Sequence, residues 1–307
     1  MTAPTSDQHG YDPNHIQLDE LTLRELTRRM ARLDVQTTST RAGQPTVRGP
    51  VVRRNQIIHA LLRYNVLLGQ HFNDLFYADL QAGGAIRALQ RDLKPLITDG
   101  WVVASRYQER NDSLYQPGQW AQVLQAVAGR KRWGERRLRW THDLLVADFM
   151  TQVVVDSREL HGTAEWWGEY ESWLPAEVRP DAIGSYTLGS LRLDFFLEAD
   201  TGSEGERIIG QKFEQYLSYY HAGNWRAGFS RESYPAVLVV TSAGEGRLHN
   251  MVGAVSSRMA AEGVPLPWFF TTEARLVEAR KDAGSPGALH QPLWFDADDQ
   301  AGAVWSI

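Results

Sequence analysis

The sequence of 307 residues contains no cysteine. Disulfide bonds and thiolate metal sites are therefore excluded, and hard oxygen ligands are the candidates for holding a metal ion. A signal peptide and a long apolar run are also lacking, which predicts a soluble, cytoplasmic protein with no membrane partner. There is no internal repeat, no Walker loop and no G-x-G-x-x-G sequence, so these nucleotide-binding motifs are excluded.

An excess of positive charge is missing as well. The chain has 32 lysines and arginines against 37 aspartates and glutamates, which gives a net charge of −5. A nucleic acid would therefore have to be met by local basic patches and not by the field of the whole protein. The hydrophobic content of 43% and the charged content of 22% are ordinary for a globular protein, and the length leaves room for two domains.

The sequence LRLDFFLEAD, from Leu191 to Asp200, has the pattern of a β-strand. Apolar residues occupy alternate positions, which predicts a strand with one buried side. Glu198 and Asp200 are two residues apart, so both lie on the opposite face. The strand therefore presents two carboxylates in the same direction.

The preceding strand adds a third acidic residue. With a turn centred on Leu188 and Gly189, Asp181 lies opposite Phe196 and diagonal to Glu198, on the face of the other carboxylates. A three-residue turn would move Asp181 to the other face. Acidic groups gathered at one point on a sheet suit a divalent cation that activates water against a phosphodiester. The alternative interpretation is a solvated strand face without function.

A helix is predicted to follow, with Ser203 as its N-cap and Glu206 completing a capping box. Lys212 and Tyr216 lie one turn apart at the edge of an apolar stripe. Lys212 either delivers its ammonium group to the carboxylates or is a boundary lysine whose charged end stays in water. The stripe predicts that the helix packs on the sheet, and it consists of Ile208, Ile209, Phe213, Tyr216, Leu217 and Tyr220.

These motifs resemble the replication-relaxation family of plasmid and mobile-element proteins. The likeness is carried by the RPDA strand, the LEAD strand end, the K-x-x-x-Y helix and the YPAVLVVTS segment. It implies a nuclease fold of the PD-(D/E)xK type in the C-terminal half, with Asp181 as the first acid of the motif and Glu198 as the second. Asp200 stands where that motif usually has its lysine, and Lys212 would supply the charge from the helix.

The resemblance also implies a chemistry. Asp181, Glu198 and Asp200 are the expected ligands of Mg²⁺ (or Mn²⁺), Lys212 would stabilise the charge of the reacting phosphate, and Tyr216 would position it. The function predicted from this is a DNA-binding, metal-dependent endonuclease that nicks DNA in plasmid replication or conjugative mobilisation. The alternatives are a catalytically inactive DNA-binding regulator and an adaptor that binds other proteins of a transfer complex.

Residues 51–128 are predicted to form a winged helix-turn-helix. Three amphipathic helices are followed by WVVASRYQERNDSLYQPG, which alternates as two strands around a polar turn. Pro95 is expected to break the later half of the third helix. Docking of another protein is the alternative use of such a domain. The basic residues expected to meet the phosphates of double-stranded DNA are Arg53, Arg54, Arg87, Arg91, Lys94, Arg106 and Arg110.

Two flanking segments complete the first half. Residues 1–50 are expected to be mobile, with a short amphipathic helix that docks on the body or on a second copy, so a homodimer is one expected partner beside plasmid transfer or replication proteins. Residues 129–141 form a basic linker. Its Arg132 and Arg136 are either DNA contacts or part of a solvated face.

Residues 142–307 are predicted to form a restriction-endonuclease-like domain in the order αβββαβ. The fold class is therefore α/β (α+β overall), with a winged helix-turn-helix in front. His142 begins the opening helix of this domain. It either caps the helix and supports the carboxylates from behind, or is a helix-start residue with no further role.

Overall fold

The computed structural model describes residues 24–26, 28–29, 50–127, 140–169, 178–203, 205–228, 233–281, 293–298 and 304–305. Within these ranges the chain forms a helix-and-hairpin unit followed by a larger unit built on a seven-stranded sheet. The mixture of helices and sheets confirms the predicted fold class. No helix in the described part of the chain is long and apolar enough to cross a membrane.

The helix-and-hairpin unit contains the predicted three helices and two hairpin strands in the predicted order, and it adds a short strand after the first helix and a fourth helix after the hairpin. Its strands pair antiparallel in the order β1-β3-β2, and the polar turn between β2 and β3 places Asn111 at a φ of 48°. Asparagine tolerates this left-handed conformation better than most residues. The elements are α1 (Pro50–Tyr64), β1 (Leu67–Leu68), α2 (Gly69–Phe76), α3 (Ala82–Thr98), β2 (Val102–Tyr107), β3 (Asp112–Pro117) and α4 (Gln119–Val127).

The first helix is shorter than its apolar pattern suggests. The pattern runs to Leu68, but α1 ends at Tyr64 and Asn65 adopts a φ of 69°. Leu67 and Leu68 then form β1 and pair with β3. A short run of leucines fits a buried strand as well as a buried helix, so the pattern alone does not place this boundary.

Pro95 does not break α3, contrary to the prediction. The helix continues through Pro95 to Thr98. The carbonyl of Pro95 still accepts a hydrogen bond from the backbone N–H of Asp99 at 2.9 Å. Proline removes one donor from the helix, and packing of the buried side of α3 on the unit compensates for that loss.

The larger unit begins with the predicted order αβββαβ. Its sheet has the order β10-β9-β8-β7-β6-β5-β4, and β6, β7 and β8 are parallel. The carboxyl ends of these three strands therefore lie at one edge of the sheet. The elements are α5 (Trp140–Glu159), β4 (Thr163–Gly168), β5 (Ala182–Leu188), β6 (Leu191–Asp200), α6 (Glu206–Ala222), α7 (Trp225–Gly228), β7 (Ala236–Thr241), α8 (Glu245–Glu262), β8 (Trp268–Thr272), α9 (Glu273–Ala279), β9 (Trp294–Asp296) and β10 (Val304–Trp305).

Strand β6 is buried on both faces from Asp194 to Asp200, so the prediction of one buried side is wrong. Phe195 packs against Phe149 of α5, with the ring centroids 6.2 Å apart. Phe196, on the opposite face, packs against Tyr216 of α6 at 5.3 Å. The polar residues of the second face are therefore covered by a helix. The core on the α5 side continues into the helix-and-hairpin unit, so the two units share a core.

The hairpin that carries the acidic residues has a register different from the predicted one. Leu188 pairs with Leu191, so the turn is Gly189 and Ser190, with Gly189 at a φ of 59°. Continuing this register places Asp181 opposite Glu198, where the prediction had it opposite Phe196. A shift of two residues keeps every side chain on its face. The acidic residues therefore still share one face.

Helix α6 begins later than predicted. Its first residue is Glu206 and its N-cap is Gly205, so Ser203 is not the cap. The predicted apolar stripe does face the sheet, and Phe213, Tyr216 and Leu217 are buried. The helix ends at Ala222 and is followed by Gly223, whose φ of 70° is the left-handed conformation common just after helix ends.

The described residues near the N-terminus contact the body of the protein. Leu26 is buried in the shared core, and the guanidinium of Arg29 lies 4.5 Å from the ring centroid of Trp120 on α4. Of the two docking sites considered for the amphipathic helix, the described part occupies the body. The rest of residues 1–49 and residues 128–139 lie outside the described residues. The basic linker predicted at 129–141 therefore lies mostly outside them. Its last two residues belong to α5, which begins at Trp140 and not at His142 as predicted.

Candidate active site

The candidate site lies on the α6 face of the sheet, where β6 approaches its carboxyl end and β5 begins. Asp181 precedes β5, Glu198 is on β6, and α6 crosses this face with Lys212 and Tyr216 one turn apart. The first residues of α5 approach from the other side and bring His142 to Asp181. Two hairpin strands and two helices thus converge on one point.

Asp181 takes the place of a backbone carbonyl in the strand ladder. Its Oδ2 accepts a hydrogen bond from the backbone N–H of Ala199 at 2.8 Å, and Nε2 of His142 lies 3.2 Å from the same oxygen. Burial by itself would raise the pKa of Asp181, but the charge of His142 and these hydrogen bonds outweigh it and lower the pKa to about 2. The Asp181 carboxylate is therefore ionised at neutral pH.

His142 is the partner in this pair. Burial by itself would lower its pKa, but Asp181 and Asp143 raise the pKa to about 10, so the imidazole is cationic. Of the two interpretations of His142, the structure supports a residue that contacts a site carboxylate. The sequence did not indicate which acidic residue it would meet.

Glu198 is held by both residues of the K-x-x-x-Y helix. The ammonium of Lys212 lies 2.6 Å from Oε2, and the hydroxyl of Tyr216 donates to Oε1 at 2.6 Å. Burial raises the pKa of Glu198 above its ordinary value, while Lys212 opposes the rise. The charged end of Lys212 thus points at the carboxylate and not at bulk water, which is the first of the two interpretations considered for it.

Asp200 has partners of its own. Its two carboxylate oxygens accept hydrogen bonds from Nη2 and Nε of Arg247 at 3.0 and 3.1 Å, and Oδ2 also accepts from the hydroxyl of Thr241 at 2.7 Å. The sequence placed Asp200 among the metal ligands. In the structure its charge is matched by a guanidinium on α8, which is the geometry of a structural ion pair.

Arg247, like Thr241, is a residue near the site that the sequence did not indicate. It lies on α8, 47 residues after the aspartate it binds, and its side chain is 14% exposed. No local motif relates two positions so far apart in the chain. The contact arises because the carboxyl ends of parallel strands β6 and β7 lie beside the N-terminus of α8.

A divalent metal ion fits this site only with ligands from outside the protein. Among the described residues, no three histidine, aspartate or glutamate side chains stand close enough together to hold an ion. Asp181 and Glu198 remain as a pair of hard oxygen ligands. Mg²⁺ commonly binds through one or two carboxylates and completes its shell with water and phosphate oxygens. The pair fits an ion of that kind.

The basic residues of the helix-and-hairpin unit fall into two groups. Arg87, Arg91 and Lys94 are exposed on one side of α3, and Arg106 is exposed on β2. Arg53 is instead paired with the buried Asp92, with 3.0 Å between Nε and Oδ2. Arg54, in the first turns of α1, is partly buried. Arg132 and Arg136 lie outside the described residues.

Arg110 connects the two units. Its guanidinium lies 2.7 Å from Asp148 of α5 and 2.9 Å from Glu273 of α9. Asp148 also lies 2.7 Å from Nε2 of His71. These residues line a cavity of about 410 Å³ at the junction. The hairpin position of Arg110 predicted a phosphate contact, but in the structure its charge is matched by two carboxylates of the larger unit.

Comparison with known proteins gave one family and two structures. No curated protein matches the chain. The structure of restriction endonuclease FokI bound to DNA is similar with 14% identity and a TM-score of 0.26, covering 80% of this chain and 47% of that one. A second structure of restriction endonuclease FokI is similar with 13% identity and a TM-score of 0.26, covering 80% of this chain and 48% of that one. The chain thus spans about half the length of these endonuclease chains, and a TM-score so low carries no argument.

The family match is more extensive. The family described as Replication-relaxation matches residues 58–231, which is more than half of the 307 residues. The matched range contains most of the helix-and-hairpin unit and the strands and helix that carry Asp181, Glu198, Lys212 and Tyr216. This confirms the family that the motifs predicted: the chain belongs to the replication-relaxation family.

Proposed function

We propose that this protein is a DNA-binding endonuclease whose larger unit hydrolyses a phosphodiester bond with the help of Mg²⁺ or Mn²⁺. The observation that carries the proposal is the convergence of Asp181, Glu198 and Lys212. Lys212 Nζ is 2.6 Å from Glu198, and the register continues so that Asp181 stands opposite Glu198. Two carboxylates can hold a metal ion that activates water, and an ammonium beside them can stabilise negative charge on the phosphate.

Each residue of the site has a part in this reaction. Asp181 and Glu198 hold the metal ion, which when bound lowers the pKa of a water molecule and neutralises phosphate charge. His142 orients Asp181 through the contact at 3.2 Å. Tyr216 orients Glu198 through its hydrogen bond. Lys212 donates to the reacting phosphate and stabilises its developing negative charge.

Asp200 is left out of the metal-binding set in this proposal. Its carboxylate is held by Arg247 and Thr241, and releasing it would leave a mostly buried guanidinium without that partner. We assign Asp200 to positioning the end of β6. The lysine that usually follows the second acid of the motif is then replaced in function by Lys212 of α6.

DNA is brought to the site by the helix-and-hairpin unit. Arg87, Arg91 and Lys94 recur on one exposed side of α3, and Arg106 is exposed on the hairpin. This arrangement suits phosphate contacts on both sides of a groove. With a net charge of −5 the field of the whole protein does not attract DNA, so local basic patches such as this one have to supply the affinity.

The test is cleavage of supercoiled plasmid DNA in Mg²⁺ or Mn²⁺. Wild type should convert the plasmid to the nicked or linear form, and Asp181→Asn and Glu198→Gln should abolish conversion. Lys212→Ala should reduce the rate on the order of 100-fold with little change in DNA affinity. Lys281→Ala serves as the matched control, because Lys281 is an exposed lysine whose ion-pair partner among the described residues is Glu278, three positions earlier. Conversion that survives Lys212→Ala at the wild-type rate would remove Lys212 from the reaction.

A second candidate function is a DNA-binding regulator of plasmid replication or transfer that does not cleave. It is favoured by one observation, the aspartate at position 200 where the motif usually has its lysine. The two candidates are separated by measuring binding and cleavage on the same duplex. Tight, salt-dependent binding with no product in any divalent metal would support the regulator.

A further inference from the structure

We propose that Lys212 is an internal counter-ion that keeps metal ions off Glu198 until a DNA phosphate draws it away, so that metal binding depends on DNA. This inference rests on the proposed function, because it concerns the same site. It adds an order to the events there. DNA comes first, Lys212 moves to the phosphate, and Glu198 is then available, with Asp181, as a ligand for a metal ion.

The contacts of Glu198 leave no open position for a metal ion. Both of its oxygens are engaged, with Lys212 on Oε2 and Tyr216 on Oε1, each at 2.6 Å. The Glu198 side chain is only 4% exposed, so a metal ion has little free approach to it. A cation that binds Glu198 must therefore take the place that the ammonium occupies.

The charges around the site oppose the entry of a metal ion. Asp181 and Glu198 supply two negative charges, and His142 and Lys212 supply two positive charges in contact with them. These four charges balance one another, and Asp143 adds a further carboxylate 3.4 Å from the other ring nitrogen of His142. A divalent cation entering it would meet an ammonium at contact distance, and like charges at that distance repel strongly where little water screens them. While Lys212 stays on Glu198, binding of a metal ion to that carboxylate is unfavourable.

The two partners of Glu198 differ in how easily they can move. Tyr216 is 1% exposed and is fixed in the aromatic core, where its ring packs on Trp268 with the centroids 5.3 Å apart. The Lys212 side chain is 23% exposed and has a flexible stem. Lys212 is therefore the partner that can swing towards an anion outside the protein. A phosphodiester of DNA supplies such an anion.

Two further features fit this exchange. The phosphate that draws Lys212 away also brings oxygen ligands for a metal ion, which the protein provides from only two carboxylates. The hydrogen bond from Tyr216 keeps Glu198 in place while its other oxygen becomes free. The same lysine would then prevent metal binding in the resting protein and stabilise the phosphate during reaction.

The experiment measures Mn²⁺ binding by calorimetry to the full chain, with and without a short DNA duplex. Wild type should bind weakly without DNA. Lys212→Gln keeps a hydrogen-bond donor but removes the charge, and should bind Mn²⁺ on the order of 10-fold more tightly without DNA. Lys212→Arg keeps the charge and should remain as weak as wild type. Duplex DNA should tighten wild type by a similar factor and tighten Lys212→Gln much less.

Asp181→Asn measured alongside corrects for the Mn²⁺ that the DNA itself binds. Lys212→Met is a second neutral variant in case Lys212→Gln does not fold, as judged by circular dichroism. Equal affinities of wild type and both neutral variants without DNA would overturn the counter-ion role, even if wild type binds Mn²⁺ with DNA. Absence of Mn²⁺ binding by every variant, with and without DNA, would overturn the proposed nuclease function as well.

Discussion

Arg110 and Arg106 belong to the same hairpin, and the structure predicts opposite results when each is replaced by alanine. Arg110 contacts Asp148 and Glu273 of the larger unit at 2.7 and 2.9 Å. Arg106 is exposed and donates only to Asn111 within the hairpin among its described partners, at 3.1 Å. Arg110→Ala should therefore weaken the junction of the units, whereas Arg106→Ala should weaken DNA binding.

The size of the effect follows from exposure. The Arg110 side chain is 38% exposed, so water and salt screen its ion pairs and the full value of a buried pair does not apply. Two charge-assisted contacts of this kind together contribute about 1–2 kcal/mol to the free energy of unfolding. At about 2–4 °C per kcal/mol for a chain of this size, Tm should fall by roughly 2–8 °C. Arg106→Ala should stay within about 0.5 kcal/mol of wild type.

Two assays separate the roles. Thermal unfolding by circular dichroism gives the change in Tm, and fluorescence anisotropy with a labelled duplex at several salt concentrations gives the salt dependence of affinity. Arg106→Ala should lower the slope of log affinity against log salt by about 0.9, the value for one lost phosphate contact. Arg110→Ala should leave that slope unchanged. A lowered slope and an unchanged Tm for Arg110→Ala would refute the reasoning and return Arg110 to the DNA contacts.

Three other predictions follow from single contacts. Burial by itself would raise the pKa of Asp148, but His71 and Arg110 lower it. The ionised Asp148 therefore stabilises the fold at any pH above its unfolded pKa of about 3.9. This stability is lost as pH falls through the lower pKa of the folded state. Asp148→Asn should therefore flatten the fall of the urea unfolding free energy below about pH 5, where the wild-type carboxylate is protonated first in the unfolded and then in the folded state. An equally steep fall in the variant would contradict this. A Cβ at Gly184 would lie 2.1 Å from the ring of Phe195, so Gly184→Ala should lower the free energy of unfolding by about 1–3 kcal/mol. Gly253 lies in a helix with open space around it, so Gly253→Ala should raise the free energy of unfolding by about 0.5–1 kcal/mol. Urea titrations that give both variants the same sign would count against the packing. Tyr216→Phe removes a buried hydrogen bond to a carboxylate and should lower the free energy of urea unfolding by about 1.5–3 kcal/mol. It should slow cleavage less than Lys212→Ala does. An unchanged free energy of unfolding would mean that the hydrogen bond is not formed.

Periodicity accounts for the part of the site that the sequence predicted. Glu198 and Asp200 are two residues apart on a strand, and Lys212 and Tyr216 are four apart on a helix, so each pair shares a face whatever the rest of the chain does. The hairpin register was predicted two residues away from the observed one. The face of Asp181 was still correct because a strand repeats every two residues.

Periodicity does not reveal whether the polar face of a strand is also covered by a neighbouring helix. The alternation of β6 predicted one solvated face, but α6 and α8 pack on that face and bury its carboxylates. The apolar run of the first helix likewise predicted a helix through Leu68, but α1 ends at Tyr64 and Leu67 and Leu68 form a strand. The continuation of α3 through Pro95 depended on packing that no local rule contains.

The sequence by itself determined the family, the fold class, and the strand and helix faces that carry Asp181, Glu198 and Lys212. These depend on motifs and repeats that extend over a few residues. Only the tertiary structure decided the partners of the charged groups. Asp200 meets an arginine 47 residues away, and Arg110 meets Glu273, 163 residues away. An ion pair forms wherever folding brings two opposite charges within about 4 Å, and nothing local in the chain records that distance.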